Sequence, residues 1–330
     1  MPITPWQQQR SLEKNITSIP GMVQPMEQNF FHWYMQEIYT GQGEAIELGP
    51  FVGRSTAALV DGLTKNSKTP QKILHVYDNF RWEDNWGYEN YFSMLNMPKL
   101  KGGDSFEPVF LHYVAHWKDR FKTYASDIAT TQWNGEDIEF IMIDSMKSWD
   151  AARSITLNFF PYLIPGVATI VQQDFKFFHT PWVALSMYRL REYFEPTYSV
   201  QDTSSMVFKC TQRVDQEACL YATDFKTFTF EEINAAFEYA LSLVTHDGDL
   251  MKREIFGGRL GTLLLFTQFI DPQQMNEALQ SVYLKELAAS TFQLHFPTED
   301  VPWLVNNIRW RILIGAVKGK LLKRLGRLYK

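Results

Sequence analysis

The chain has 330 residues, 45% of them hydrophobic, 15% aromatic and 21% charged, with a formal net charge of −5. That length suits one main domain with an extension, and the acid excess gives no reason to expect a nucleic-acid partner. The two cysteines, Cys210 and Cys219, lack a C-x-x-C spacing, the N-terminus lacks a basic-then-apolar signal, and no run reaches the ~18 apolar residues of a membrane span, so a cytoplasmic chain with reduced thiols is expected.

Residues 1–25 are polar and punctuated by prolines, and read as an ordered arm or lid edge. A helix is predicted from about Glu27 to Tyr39, its Phe30, Phe31 and Trp33 packing on a sheet. Residues 1–40 thus form an N-terminal arm and helix. The run Ala45-Ile46-Glu47-Leu48 predicts a buried strand, followed by a turn through Gly49 and Gly53 and a helix beginning near Arg54. Gly49 allows a sharp turn, and Gly53 would let a ligand approach the backbone. Ser55 or Thr56 would lie in the first helical turn, beside free N–H groups able to hold an anion. In an open α/β sheet ligands bind outside the carboxyl ends of the strands, so this turn is the first candidate site.

Lys72 to Asp78 is a second strand-like run, again ending in an acid. Residues 81–105 are rich in aromatics and methionine (Trp82, Trp86, Tyr88, Tyr91, Met94, Met97) and read as a lid insertion or a surface cluster. Phe106 to Phe121 predicts a helix, and Thr123 to Asp127 a short strand and turn. Asp137 to Asp144 is the clearest buried strand. A helix from Trp149 to Leu163, a strand from Gly166 to Val171 running into Gln172-Gln173-Asp174, and a helix around Trp182 to Leu190 follow. Thr197–Val200 and Met206–Cys210 are β-like and close on each other. Strands alternating with helices predict an α/β fold with a doubly wound, mostly parallel, seven-stranded sheet over residues 41–215.

From residue 216 to 330 only helical patterns remain (Phe230–Val244, Leu250–Gln268, Pro272–Ala289), a helical extension. Its tail, 306–330, carries Arg309, Arg311, Lys318, Lys320, Lys323, Arg324, Arg327 and Lys330 with no acid, and apolar residues recur at helical spacing. This basic amphipathic stretch suits a peripheral contact with an anionic inner-membrane surface, an acidic partner, or the protein's own body.

Three ligand-binding turns compete for Glu47 to Ser55. The dinucleotide fingerprint needs G-x-G-x-x-G, which Pro50, Phe51 and Val52 prevent; a P-loop would need one more residue and Lys in place of Arg54. The pattern E-x-G-x-x-x-G-x-S fits without adjustment, and an ordinary strand–turn–helix remains open. With the acid-tipped strands that follow, the first 210 or so residues resemble class I S-adenosylmethionine (SAM) methyltransferases, in local pattern the catechol O-methyltransferase-like and macrocin O-methyltransferase-like enzymes. The resemblance covers islands of that region and none of the last third.

The resemblance implies that Glu47, Gly49, Gly53 and Ser55 form the first cofactor motif, that Asp78 holds the ribose, and that Ser126 and Asp127 lie at the turn around the adenine. It further implies that Asp144-Ser145-Met146-Lys147 corresponds to an Asp-x-x-Lys in which the Asp is a metal ligand and the Lys a catalytic base. Met146 is a candidate for the adenine face or simply a core methionine, and His179 is a second candidate base. Where metal-dependent members end the fifth strand in Asp-Asp or Asp-Asn, this chain has Gln173-Asp174. Asp144, Gln173 and Asp174 are therefore candidate Mg²⁺ ligands with one negative charge removed, which lowers affinity for a hard cation.

The implied function is SAM-dependent O-methylation of a small-molecule or sugar-containing acceptor. A second copy of the chain is a further candidate partner. The alternatives are a degenerate methyltransferase-like binding or scaffold protein, and another α/β enzyme with a nucleotide cofactor.

Overall fold

The computed structural model describes residues 4–7, 12–83, 99–133 and 135–269. Most of the 81–105 insertion, the predicted helix Pro272–Ala289 and the basic stretch 306–330 lie outside the described residues. Among those described, no helix is long and apolar enough to cross a membrane.

Seven strands form one sheet in the order β3-β2-β1-β4-β5-β7-β6, the arrangement of the class I methyltransferase fold. The strands are β1 (Glu44–Leu48), β2 (Leu74–Asp78), β3 (Phe121–Ala125), β4 (Ile138–Ile143), β5 (Thr169–Gln172), β6 (Phe194–Ser199) and β7 (Met206–Cys210). β1 to β5 pair in parallel, and β7 runs antiparallel to both β5 and β6. The parallel strands carry helices on both faces, so β4 is buried at every position. Alternate residues face opposite layers: Ile46, Leu48, Ile141 and Ile143 enter one core, while Ala45, Phe140 and Met142 enter the other.

The second core receives α2 (Pro25–Trp33) and α3 (Arg54–Lys65), preceded by a single turn α1 (Lys14–Thr17). α2 opens on a capping box: Gln24 N–H donates to Glu27 Oε2 at 2.8 Å, with Pro25 in the first turn. The arm before it is anchored by buried Trp6, Ile16, Ile19 and Val23. Arg54 staples it to α3, donating to the carbonyls of Val23 (2.8 Å) and Ile19 (2.6 Å).

The helix expected over Phe106–Phe121 is shorter. α4 covers Glu107–Tyr113, a 3₁₀ turn follows at Ala115–Trp117, and Phe121 already belongs to β3. α5 (Trp149–Phe159) gives way to a 3₁₀ turn at Phe160–Tyr162, where Pro161 brings no N–H. α6 (Pro181–Arg189) leads into the β6–β7 hairpin. The extension begins with α7 (Gln216–Ala222), a helix the apolar pattern did not predict, and continues as α8 (Phe230–Leu243) and α9 (Asp249–Phe269).

Two charged anchors bind the extension to the sheet domain. Arg189 on α6 donates to both carboxylate oxygens of Glu232 at 2.8 Å, its guanidinium stacked 3.4 Å from the Phe228 ring centre. Lys176, just past β5, donates to Asp247 at 2.8 Å, and both side chains are fully buried.

Candidate functional site at the strand tips

The carboxyl ends of the central strands are laced together by backbone hydrogen bonds. Ser126 N–H donates to Asp78 O (2.9 Å), Gly49 N–H to Tyr77 O (2.9 Å), Asp144 N–H to Leu48 O (2.8 Å) and Gln173 N–H to Ile143 O (3.0 Å). The strand order reverses between β1 and β4, and a ligand crevice is expected at that reversal. A cavity of about 320 Å³ opens there. Its ionisable lining is Glu27, Arg54, Asp144, Lys147, Asp174 and Asp202; Met22, Phe51, Phe177 and Leu250 are among its apolar lining.

Gly49 has φ of +88°, and a Cβ there would lie 2.9 Å from the Asp144 carbonyl oxygen, so only glycine lets the β1 and β4 tips meet. Gly53 corrects an expectation. It too is left-handed, but the space beside it is filled by Val114, 2.5 Å from where a Cβ would be, and by Phe110. That glycine makes room for α4, not for a ligand.

Glu47 is fully buried beneath this turn, on the face of β1 that meets α3. Thr56 Oγ1 donates to its Oε2 at 2.6 Å, while Oε1 has no hydrogen-bond partner among the described residues. Burial pushes Glu47 up to about 7; the hydroxyls of Ser55 and Thr56 oppose this, and the like charges of Asp144 and Asp78 add to it. Ser145 Oγ, next to Gly49, is a second buried oxygen without a partner among the described residues. Orphaned buried oxygens are costly to a fold and point to a missing polar ligand. Neither Glu47 nor Ser145 lines the cavity, whereas Ser55, in the first turn of α3, does.

At the β2 and β3 tips the predicted residues are tied into their own turns. Asp78 Oδ1 accepts from Phe80 N–H at 2.7 Å, and burial pushes the carboxyl up to about 6. Ser126 Oγ shares a hydrogen bond with Thr131 Oγ1 (2.8 Å), and Asp127 Oδ1 accepts from Ala129 N–H (2.9 Å). None of the three lines the cavity, although Asp78 lies one strand from it.

At the β4 and β5 tips the carboxylates point at a lysine instead. Lys147 Nζ donates to Asp144 Oδ1 at 2.6 Å and also pairs with Asp174. Its side chain is 56% exposed, against 19% for Asp144 and 14% for Asp174, so the lysine is the most exposed member of the trio. Burial works against its charge, yet the two carboxylates outweigh that and hold Lys147 above the ordinary lysine value. Asp144 is pushed upward by burial and by Asp174 and Glu27, with Lys147 pulling the other way.

Gln173 is tied into a buried hydrogen-bond network. Its Nε2 donates to Glu27 Oε1 (2.9 Å), and its Oε1 accepts from Ser205 Oγ (2.9 Å), all three being buried. Among the described residues there is no group of three or more His, Cys, Asp or Glu able to hold a metal. The donors present do not fit the predicted Mg²⁺ site, because an ammonium stands between the two carboxylates and the third donor is held by Glu27 and Ser205. His179 does not line the cavity; its exposed ring lies against Phe178. Met146 is a core residue, 2% exposed.

Sequence reasoning passed over Glu27, Lys176 and Asp247. Glu27 is a fully buried carboxylate whose pKa is raised by burial, and it joins α2 to the β5 tip. A lysine set among Phe175, Phe177 and Phe178 was the one readable sign of a buried cation; burial lowers the pKa of Lys176 against the pull of Asp247.

No protein-family model matches the sequence, and no curated protein matches it. Solved structures give distant likenesses. The O-methyltransferase NovP aligns with a TM-score of 0.44 and 13% identity over 58% of this chain and 82% of its own. CalS11, a TDP-rhamnose 3'-O-methyltransferase of calicheamicin biosynthesis, gives 0.39 and 12% over 56% and 77%. A SAM-dependent O-methyltransferase of Thermotoga maritima gives 0.34 and 15% over 59% and 69%. At this distance such likenesses carry neither substrate nor chemistry, and those must come from the site's own residues.

Proposed function

We propose that the chain is a SAM-dependent methyltransferase acting on an oxygen of a small-molecule or sugar-containing acceptor. The observation that carries this reading is the pair of orphaned buried oxygens, Glu47 Oε1 and Ser145 Oγ, at the β1–β4 reversal beside a cavity containing the Asp144–Lys147–Asp174 trio. Glu47, Ser145 and Ser55 would hold the charged amino-acid end of the cofactor. Asp78 would offer its second carboxylate oxygen to the ribose, and the backbone at Ser126 and Asp127 would border the adenine. SAM bound there supplies a methyl group on a positively charged sulfur, which leaves as a neutral thioether.

The chain's own work is to aim the acceptor oxygen and remove one proton. Lys147, expected as the base, is held protonated by its two partners, and His179 is outside the cavity. Asp144 takes the role: a carboxylate with a raised pKa is better matched to a hydroxyl proton near neutrality than an ordinary one. The apolar lining at Met22, Phe51, Phe177 and Leu250 would seat the body of the acceptor.

Incubation with methyl-labelled SAM and a panel of hydroxylated acceptors tests the assignment. Label should pass to at least one acceptor and fall by ~10²–10⁴-fold in Asp144→Asn, the range for loss of a general base. Undiminished transfer in that variant would remove Asp144 from the role.

A further inference from the structure

We propose that this site carries its own cation: the Lys147 ammonium, clamped between Asp144 and Asp174, stands where a divalent metal would sit, and the site needs none. The link to catalysis rests on the methyltransferase reading above; the exclusion of a metal rests on geometry alone. Lys147 Nζ lies 2.6 Å from Asp144 Oδ1 and pairs with Asp174 on its other side. A hard divalent cation wants about six oxygen ligands, and Mg²⁺ wants them in near-ideal octahedral order.

The adjoining donor, Gln173, cannot turn without cost. Releasing its amide would strip the buried Glu27 of one hydrogen bond. The remaining charged groups of the cavity do not replace it. Glu27 is engaged by Gln24, Gln173 and Ser205, Asp202 Oδ1 caps Gly248 N–H, and the Arg54 guanidinium is spent on arm carbonyls. A metal would therefore have to evict the ammonium and keep only two carboxylates.

The substitution also has a use. Lys147 lines the cavity together with Asp144 and Asp174, so its charge stands beside the space an acceptor would enter. A fixed positive charge beside the acceptor oxygen favours the oxyanion as the proton leaves for Asp144. The oxygen lone pair then forms the new C–O bond while the C–S bond breaks. Lys147 thus acts as a charge that orients and stabilises, without changing its own protonation.

The test is a titration of Mn²⁺, followed by its electron paramagnetic resonance signal, into the full-length wild type, Lys147→Ala and Lys147→Ala/Asp174→Asn. Removing the ammonium should raise Mn²⁺ affinity at least ~10-fold, and the added Asp174→Asn should erase the gain. Equal Mn²⁺ affinity in wild type and Lys147→Ala, whether tight or negligible, overturns the proposal. So does loss of methyl transfer on adding EDTA to the wild type.

If Lys147→Ala fails to fold, Asp174→Asn alone decides: the proposal requires that it leave wild-type Mn²⁺ binding unchanged, and weakened binding overturns it. Thermal stabilisation of the wild type by S-adenosylhomocysteine is measured alongside. Its absence would remove the methyltransferase reading, while the Mn²⁺ comparison would still judge whether the lysine has displaced a metal.

Discussion

The two halves of the strand-tip arc use the same residue type differently. On the β2–β3 side, Asp78 and Asp127 each accept a nearby backbone N–H, and Ser126 is paired with Thr131. On the β4–β5 side, Asp144 and Asp174 are directed at Lys147, three residues beyond Asp144 on the same loop, and the cavity opens over them. Between the halves, Glu47 has one satisfied oxygen and one orphan. An acid at a strand tip is therefore not in itself a site. It becomes one where at least one carboxylate oxygen is left for a ligand, as at Glu47 Oε1, because only such an oxygen has free energy to gain from a new partner.

The sharpest way to break the comparison is to remove the carboxylate assigned to chemistry. Asp144→Asn should lower kcat by ~10²–10⁴-fold with little change in cofactor affinity, read by labelled-SAM kinetics. If affinity falls instead, the β4 tip belongs to the cofactor half.

The anchor behind the β5 tip comes next. Lys176→Met leaves Asp247 buried without its cation and should cost about 3–5 kcal/mol of stability in denaturant unfolding. The Lys176→Met/Asp247→Leu pair should recover much of it, whereas no recovery would show that the pair does more than neutralise charge.

Glu47 gives a pH signature. Its carboxyl is raised from 4.5 to about 7 in the fold, so its contribution to stability is present below 4.5 and lost as pH rises through about 7. The full swing for this fully buried group is about 3 kcal/mol, from 1.36 kcal/mol per unit. Unfolding of the ligand-free protein across that range should flatten in Glu47→Gln; an identical slope would mean that Glu47 is not the titrating group.

Asp78→Ala should weaken S-adenosylhomocysteine binding by ~10–100-fold, the worth of a hydrogen bond to a charged group. The smallest effect belongs to His179→Ala: transfer within about twofold of wild type, as for an exposed residue outside the cavity.

The sheet was largely legible because strands buried on both faces read as continuous apolar runs, most clearly Phe140 to Ile143. The glycine turn and the acid-tipped strands followed from that reading. What misled was local. The aromatics from Phe106 to Phe121 fit a helical spacing, yet their chain breaks into a short helix, a 3₁₀ turn and the start of a strand. α7 is seven residues long, announced only by Asp215, whose side chain accepts from Ala218 N–H. The site was legible in its list of carboxylates but not in their partners. Gln173 and Glu27 are 146 residues apart in sequence, and no periodicity says that their side chains meet. Lys147 is paired with two acids on different loops, Asp144 and Asp174, and no spacing in the sequence brings the second of them to it.

Calorimetric titration of S-adenosylhomocysteine into the wild type and Asp78→Ala tests the central claim most directly, since it asks whether the tips of β1, β2 and β4 together hold an adenosyl amino acid. One molecule should bind per chain, at least ~10-fold more weakly in the variant. Absence of binding to the wild type, or equal binding to both proteins, would contradict that claim.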